Sequence, residues 1–375
     1  MKYFFFIAAF NALFFAILIL QKKKVLHDKI LIFWLIYLGI YTGSYALLSN
    51  TLFTDYHLLS VSFISLLMLH GPFLYLYISA LIDEKYQFNK KHLFHFAPFL
   101  LFNVFVLVSP LFPELAGRIR LDHMESEHGA PLLFNFFLIL TALSGPVYFL
   151  LSIRLFKILD INIFNNFSTT ENINLDWLRK LVYSFGVIWT VLIVVATIHH
   201  VFHLFSWAFC TDGLFLSLSV FIILIGYFGL KQKEIFTQYP DHKIEYVTEP
   251  KTKYASVLLN EVEAELYISK IKHFMKAERP YLDADLTLPD LATKLEIPSH
   301  HLSRVINESF GLNFFDFINQ YRIEEVKAKM ARPEFDHLSL LGIAFESGFN
   351  TKSAFNRVFK KITGATPSEY KKQLQ

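Results

Sequence analysis

Leu288-Pro-Asp-Leu-Ala-Thr-Lys-Leu-Glu-Ile-Pro-Ser-His-His-Leu-Ser-Arg-Val-Ile-Asn307 and Leu341-Gly-Ile-Ala-Phe-Glu-Ser-Gly-Phe-Asn-Thr-Lys-Ser-Ala-Phe-Asn-Arg-Val-Phe-Lys360 read as two copies of one pattern. In the first, a short apolar-periodic helix is followed by a tight break at Glu296 to Pro298 and a second helix capped by Ser299. Leu291-Ala292 answers Ile343-Ala344, Ile297 answers Phe349, and Arg304-Val305 answers Arg357-Val358, with Gly311 and Gly364 closing the two copies. The offset is 52 residues, becoming 53 after one inserted residue. Two such units, each too small to bury its own face, predict one compact all-α region built by duplication, with two helix-turn-helix units.

Helical geometry at about 100° per residue separates the faces of the second helix in each copy. Leu302, Val305, Ile306 and Ser309 share one arc suited to packing, while Ser299, His300, Ser303, Arg304 and Asn307 share the opposite one. In the second copy Phe355, Val358, Phe359 and Ile362 form the packing arc, leaving Lys352, Ser353, Asn356, Arg357 and Lys360 outside. An arginine therefore recurs at one angle on both outer arcs. Its fork of donors suits guanine O6 and N7 in a major groove, with Lys, Ser and Asn beside it for phosphates and adenine. A solvated face of an ordinary helix is the competing reading, and the recurrence of the arc weighs against it.

These residues resemble the AraC/XylS family of transcription activators. The resemblance lies in Ile343-Ala344, Gly348-Phe349, Ser353, Phe355, Arg357, Phe359-Lys360, Gly364, Thr366-Pro367 and Tyr370, and extends to Gly311, Phe314, Phe315, Ile318, Arg322 and Ala328. It spans about residues 260–372. It implies double-stranded DNA and RNA polymerase as partners, and no cofactor. One departure is Glu296, where the family's first turn usually carries Gly. A non-Gly residue near positive φ costs about 1 kcal/mol, which makes the first copy the less rigid reader.

The rest of the chain differs in kind. With 54% hydrophobic and 17% aromatic residues, 42 Phe among 375 and a mean hydropathy of +0.40, the chain as a whole is too apolar for an ordinary soluble protein. The excess lies before residue 231, where 14 Lys and Arg face 12 Asp and Glu; the remainder holds 21 against 20. Net charge alone therefore does not point to nucleic acid. From Asn350 to Gln375, however, six basic residues stand against one acidic residue. Cys210 is alone and forms no internal disulfide.

Seven apolar runs, 3–20, 30–49, 57–81, 93–109, 131–153, 178–202 and 211–230, are long enough to cross about 30 Å of hydrocarbon. The first resembles a signal peptide only in part: three lysines follow it and no small-residue cleavage site stands out, so a retained helix is expected. Lys22, Lys23, Lys24 and Lys29 follow the first run; Lys85, Lys90 and Lys91 follow the third; Arg154, Lys157, Arg179 and Lys180 flank the loop after the fifth. By the positive-inside rule the amino end lies outside and the C-terminal region emerges into the cytoplasm of a bacterial inner membrane.

Polar residues within runs are the candidates for sensing. His70-Gly71-Pro72 interrupts the third run and Gly145-Pro146 the fifth. His70 is the candidate sensing residue, in a ligand pocket; the competing reading is a kinked helix whose His bonds a neighbouring carbonyl. His199 and His203 stand one turn apart with His200 between them, a spacing that suits zinc but lacks a third ligand nearby, or simply interfacial histidines.

The expected organisation is a seven-span transmembrane sensor region over 1–230, a polar linker containing Pro240 and Pro250 over 231–254, and a double helix-turn-helix region over 255–375. A helix over 255–277 begins the last; its stripe of Leu259, Val262 and Leu266 either packs at home or pairs two copies of the chain. The function expected is a membrane-tethered, sequence-specific DNA-binding transcription regulator, with the lipid bilayer and a second copy as further partners. The rivals are a seven-span membrane enzyme with a histidine-zinc site and a receptor whose C-terminal region binds proteins.

Overall fold

A computed structural model of the chain describes residues 2–21, 25–48, 55–82, 86–121, 130–170, 176–202, 204, 207–231 and 261–374. The fold is all-α, and among the described residues the single β-bridge joins Phe167 to Thr287. The linker at 232–254 and the start of the helix expected from 255 lie outside the described residues, as do the side chains of His199, His200 and His203.

The chain forms two compact units: Met1–Phe156 with Leu175–Glu234, and Lys157–Asn174 with Ile235–Gln375. In the first, helices α1 (Lys2–Leu20), α2 (Leu26–Leu48), α3 (His57–Ser65), α4 (His70–Ile82), α5 (Ala97–Val108), the short α6 (Pro113–Arg118), α7 (Leu132–Asn166, whose residues from Lys157 on belong to the second unit), α8 (Asp176–Phe202) and α9 (Trp207–Lys231) follow one another. Among the described residues seven stretches are long and apolar enough to cross a membrane, Lys2–Leu20, Leu26–Leu48, His57–Ile82, Lys90–Leu111, Leu132–Asn166, Asp176–Ile198 and Phe209–Leu230, matching the seven runs read from the sequence.

Burial on the first helix runs opposite to that in a water-soluble bundle. On α1 the buried side is mostly Ala8, Ala9, Ala12 and Ala16, while Phe10, Phe14 and Ile17 face outward. Small residues let α1 approach α2 and α9 closely, the mode of packing used where lipid rather than water covers the outer face. Gly145 serves the same purpose: a Cβ there would meet Trp189 Cδ2 at 2.1 Å.

The third span is α3 and α4 joined by a tighter 3-10 turn at Leu66–Leu69. Pro72 has no N–H for the carbonyl four residues back, Met68, and the Ser144 hydroxyl donates to that oxygen instead at 2.9 Å. Tyr37 does the same for Leu66 O at 2.8 Å. The fifth span departs more from expectation: its helix does not end near 153 but continues through Arg154, Lys157 and Asp160 to Asn166. Its 35 residues make a rod of roughly 52 Å, against about 30 Å of hydrocarbon.

In the second unit α10 (Glu261–Ala277), α11 (Leu288–Leu295), α12 (Ser299–Ser309), α13 (Phe314–Met330), α14 (Leu340–Phe345), α15 (Lys352–Thr363) and α16 (Pro367–Leu374) build two small cores. One gathers Leu291, Leu295, Leu302, Val305 and Ile306 around Met275, and the other gathers Ile343, Phe349, Phe355, Val358 and Phe359. α13 belongs to both, giving Phe314, Phe317 and Ile318 to the first and Phe315, Ile323 and Val326 to the second.

The duplication is visible bond by bond. Ile297 N–H donates to Ala292 O at 3.0 Å, and 52 residues on Phe349 N–H donates to Ala344 O at 3.1 Å. The residue before each donor is left-handed: Glu296 at φ 51° and Gly348 at φ 90°. Glu296 thus sits where the sequence placed it. Because Gly adopts this conformation without a Cβ penalty, Glu296→Gly is expected to stabilise the unit by about 0.5–1 kcal/mol, read as a higher midpoint of chemical unfolding. An unchanged or lower midpoint would show that the turn carries no such strain.

Candidate functional site

The outer arc of α15 is open to solvent. Thr351 caps the helix by accepting from Ala354 N–H at 3.2 Å. Ala354, Phe355, Val358 and Phe359 are buried beneath it, which turns Lys352, Ser353, Asn356, Arg357 and Lys360 outward, all exposed. Lys361, on the flank, pairs with Asp316 at 2.6 Å.

The corresponding arc of α12 is less open. Its helix begins after Pro298, whose carbonyl accepts from His301 N–H at 2.9 Å and Leu302 N–H at 3.0 Å, so Ser299 is the first helical residue and not the cap. The rigid φ of proline sets that start, and no side-chain hydrogen bond caps it. Leu302, Val305 and Ile306 are buried as expected, whereas Ser309 is exposed. His300 and Asn307 are exposed, and Ser299 and Arg304 are partly so. Ser303 is only 6% exposed and accepts from Asn307 Nδ2 at 3.4 Å, so it lies beneath the arc rather than on it. Arg304 Nε donates to Glu308 at 2.9 and 3.0 Å one turn away. That exposed pair is weak, and a guanine or phosphate can compete for it. Beside it the rings of His300 and His301 lie 4.1 Å apart, and burial pulls the His301 imidazole below its usual range.

Between the two copies lies Arg322, which no local pattern in the sequence marks and only the family resemblance includes. It is 1% exposed. Nε donates to Tyr281 O at 2.8 Å, Nη2 to Asp283 O at 2.7 Å, and Nη1 to Ser168 O at 3.0 Å. Burial lowers its pKa to about 10 despite the nearby Asp283 and Asp285, so it stays a cation at neutral pH. Gly348 explains why the loop of the second copy comes so close: a Cβ there would meet Tyr281 O at 2.2 Å and Arg322 Nε at 2.9 Å.

His70 lies in the other unit and is 1% exposed. Nδ1 faces Trp34 Nε1 at 3.5 Å and the rings of Tyr37 and Tyr41 pack around it, while Nε2 has no hydrogen-bond partner among the described residues. The adjoining cavity, lined by Leu67, Phe185, Trp189 and Leu214, is about 10 Å³, room for one water at most. Among the described residues no three His, Cys, Asp or Glu side chains gather in a way that could hold a metal ion.

Residues 291–373 match the family model described as a helix-turn-helix domain. An uncharacterized HTH-type transcriptional regulator of Staphylococcus aureus (strain COL) is 29% identical over 143 residues, covering 38% of this chain and 18% of that protein. The Msm operon regulatory protein of Streptococcus mutans serotype c is 26% identical over 109 residues, 29% of this chain and 37% of that one. The chain thus spans less than two-fifths of the length of either relative. A solved structure described as a protein of unknown function from Listeria innocua is 27% identical, covers 29% of this chain and 97% of its own, and superposes with a TM-score of 0.26.

Gly348→Ala is expected to cost about 2 kcal/mol or more, since it adds a Cβ at positive φ against a carbonyl. Thermal unfolding and DNA retention should both suffer, and a variant as stable as the parent would remove Gly348 from this role.

Proposed function

From a C-terminal region that belongs to the AraC-type helix-turn-helix family, we propose that the chain is a membrane-tethered, sequence-specific DNA-binding transcription regulator responding to a signal at the membrane. The single observation that carries the DNA reading is the solvent-facing set on α15, Lys352, Ser353, Asn356, Arg357 and Lys360, backed by a buried apolar face. His300, Arg304 and Asn307 on α12, with Ser299, supply the matching half. Arg357 and Arg304 read bases; the lysines position the phosphates.

The seven apolar helices support insertion in a bilayer, and the alternation of lysines supports an outside amino end with the reader in the cytoplasm. We assign 1–230 to the membrane sensor, 231–254 to a linker and 255–375 to the reader. A second copy of the chain and RNA polymerase are the expected protein partners. His70 is the proposed sensing residue; the cavity beside it favours repacking over a bulky ligand.

Arg357→Ala should weaken binding to a selected duplex by about 1–3 kcal/mol and relax its sequence choice, while Lys360→Ala weakens all duplexes alike and flattens the salt dependence. Equal loss on selected and random duplexes for Arg357→Ala would assign that residue to phosphate. Reporter fusions should place the loop around Glu125 outside and residues after Lys231 inside. A carboxy-terminal reporter active only outside would refute tethered regulation.

A further inference from the structure

The residues that follow the fifth span pack on the DNA reader. Helix α7 continues past Phe156, and from Lys157 its residues belong to the same compact unit as α10 to α16. Phe164 sets its ring edge-on to Phe315 at 5.3 Å. After the helix ends, Phe167, Ser168 and Thr169 are all buried. Phe167 makes the antiparallel bridge to Thr287, the residue that caps α11. Ser168 is engaged through every polar atom: its N–H and hydroxyl both donate to Leu286 O, at 3.2 and 2.6 Å. Its carbonyl accepts from Asn319 Nδ2 at 3.1 Å and Arg322 Nη1 at 3.0 Å, and its hydroxyl also accepts from Arg322 Nη2 at 3.0 Å.

The next two residues reach the second copy. Thr169 Oγ1 lies 3.4 Å from Asn350 Oδ1 and 3.3 Å from Asn350 Nδ2, just ahead of α15. Thr170 Oγ1 accepts from Arg357 Nη2 at 3.2 Å. A five-residue stretch therefore touches the entry of the first copy, the shared helix α13 and the exposed arginine of the second. An ordinary interspan connection would leave such backbone groups to water. Here they are built into the reader.

We propose that residues 166–170 are an autoinhibitory clasp, held by Arg322 and released on signalling, that competes with DNA for the reading face of α15. The proposal rests on the DNA-binding reading above. A duplex that engages Arg357 must displace Thr170, and Thr170 follows from Ser168, which is anchored by a buried cation. Because the clasp continues directly from α7, a shift of the fifth span moves the residue that occupies Arg357.

The test uses the full-length chain in lipid nanodiscs, with Cys210→Ser to remove the native thiol and the pair Thr169→Cys and Asn350→Cys to report on the clasp. A short reducible bis-methanethiosulfonate joins the two cysteines, and retention of a randomised duplex pool is measured. Joined protein should retain at least about tenfold less DNA than the same protein with each cysteine capped by methyl methanethiosulfonate, and dithiothreitol should restore it. Thr170→Val, which removes only the acceptor for Arg357, should raise retention by about threefold, the effect of one modest hydrogen bond. Equal retention by joined and capped protein would overturn the clasp, as would failure of the reagent to join two cysteines that each react singly. Failure of the reduced protein to retain any duplex would overturn the DNA-binding reading itself, and the clasp with it.

Discussion

A buried guanidinium carries five N–H donors and cannot shed its charge at neutral pH, so it must be met by oxygen on every side. Arg322 meets that demand with backbone carbonyls: Tyr281, Asp283, Ala284 and Ser168 all accept from it, and Asn319 Oδ1 stands at 3.4 Å from Nη1. Carbonyls come from chain segments, and each one that points inward fixes the segment carrying it. The loop ahead of α11, the shared helix α13 and the stretch after α7 are thereby tied to one side chain. Gly348 is part of the same arrangement, since only a residue without a Cβ lets its loop lie against Tyr281 O and Arg322 Nε.

The reading units depend on this tie because neither core is large. Each packs three or four short helices, and α13 supplies aromatic and branched side chains to both from different faces. Apolar burial holds each helix pair together but is indifferent to direction. Directional hydrogen bonds at Arg322 supply what burial lacks, a defined orientation of one unit against the other. On the proposed reading, that orientation sets whether Arg304 and Arg357 can enter successive grooves.

The other compact unit carries seven helices long and apolar enough to cross a membrane among its described residues. On α1 four alanines face inward while Phe10, Phe14 and Ile17 face out, and carbonyls freed by Pro72 and by the 3-10 turn take hydroxyl donors from neighbouring helices. Both features follow if the surroundings offer neither a hydrophobic driving force nor water to satisfy the backbone.

Local pattern alone was enough for much of this protein. The seven apolar runs, the two copies offset by 52 residues, the left-handed Glu296 and the split of α15 into a packing arc and an open arc all rest on contacts within a few residues, where helical period and side-chain size decide the outcome. Ser299 has the side chain of a cap, yet the preceding proline starts the helix one residue earlier, a rivalry between two adjacent signals. Ser303 lies on the open arc by angle yet is buried, since the neighbours that cover a helix face are not written in its own period. The role of Arg322 and the engagement of residues 166–170 were beyond any such reading. Arg322 takes its acceptors from Tyr281, Asp283 and Ala284, about 40 residues earlier in the chain, and from Ser168, 154 residues earlier, and hydrogen bonds to backbone carbonyls leave no trace in the identity of the residue that accepts them. Only the tertiary structure, by bringing the end of the fifth span against the reader, decides which carbonyls surround the buried charge.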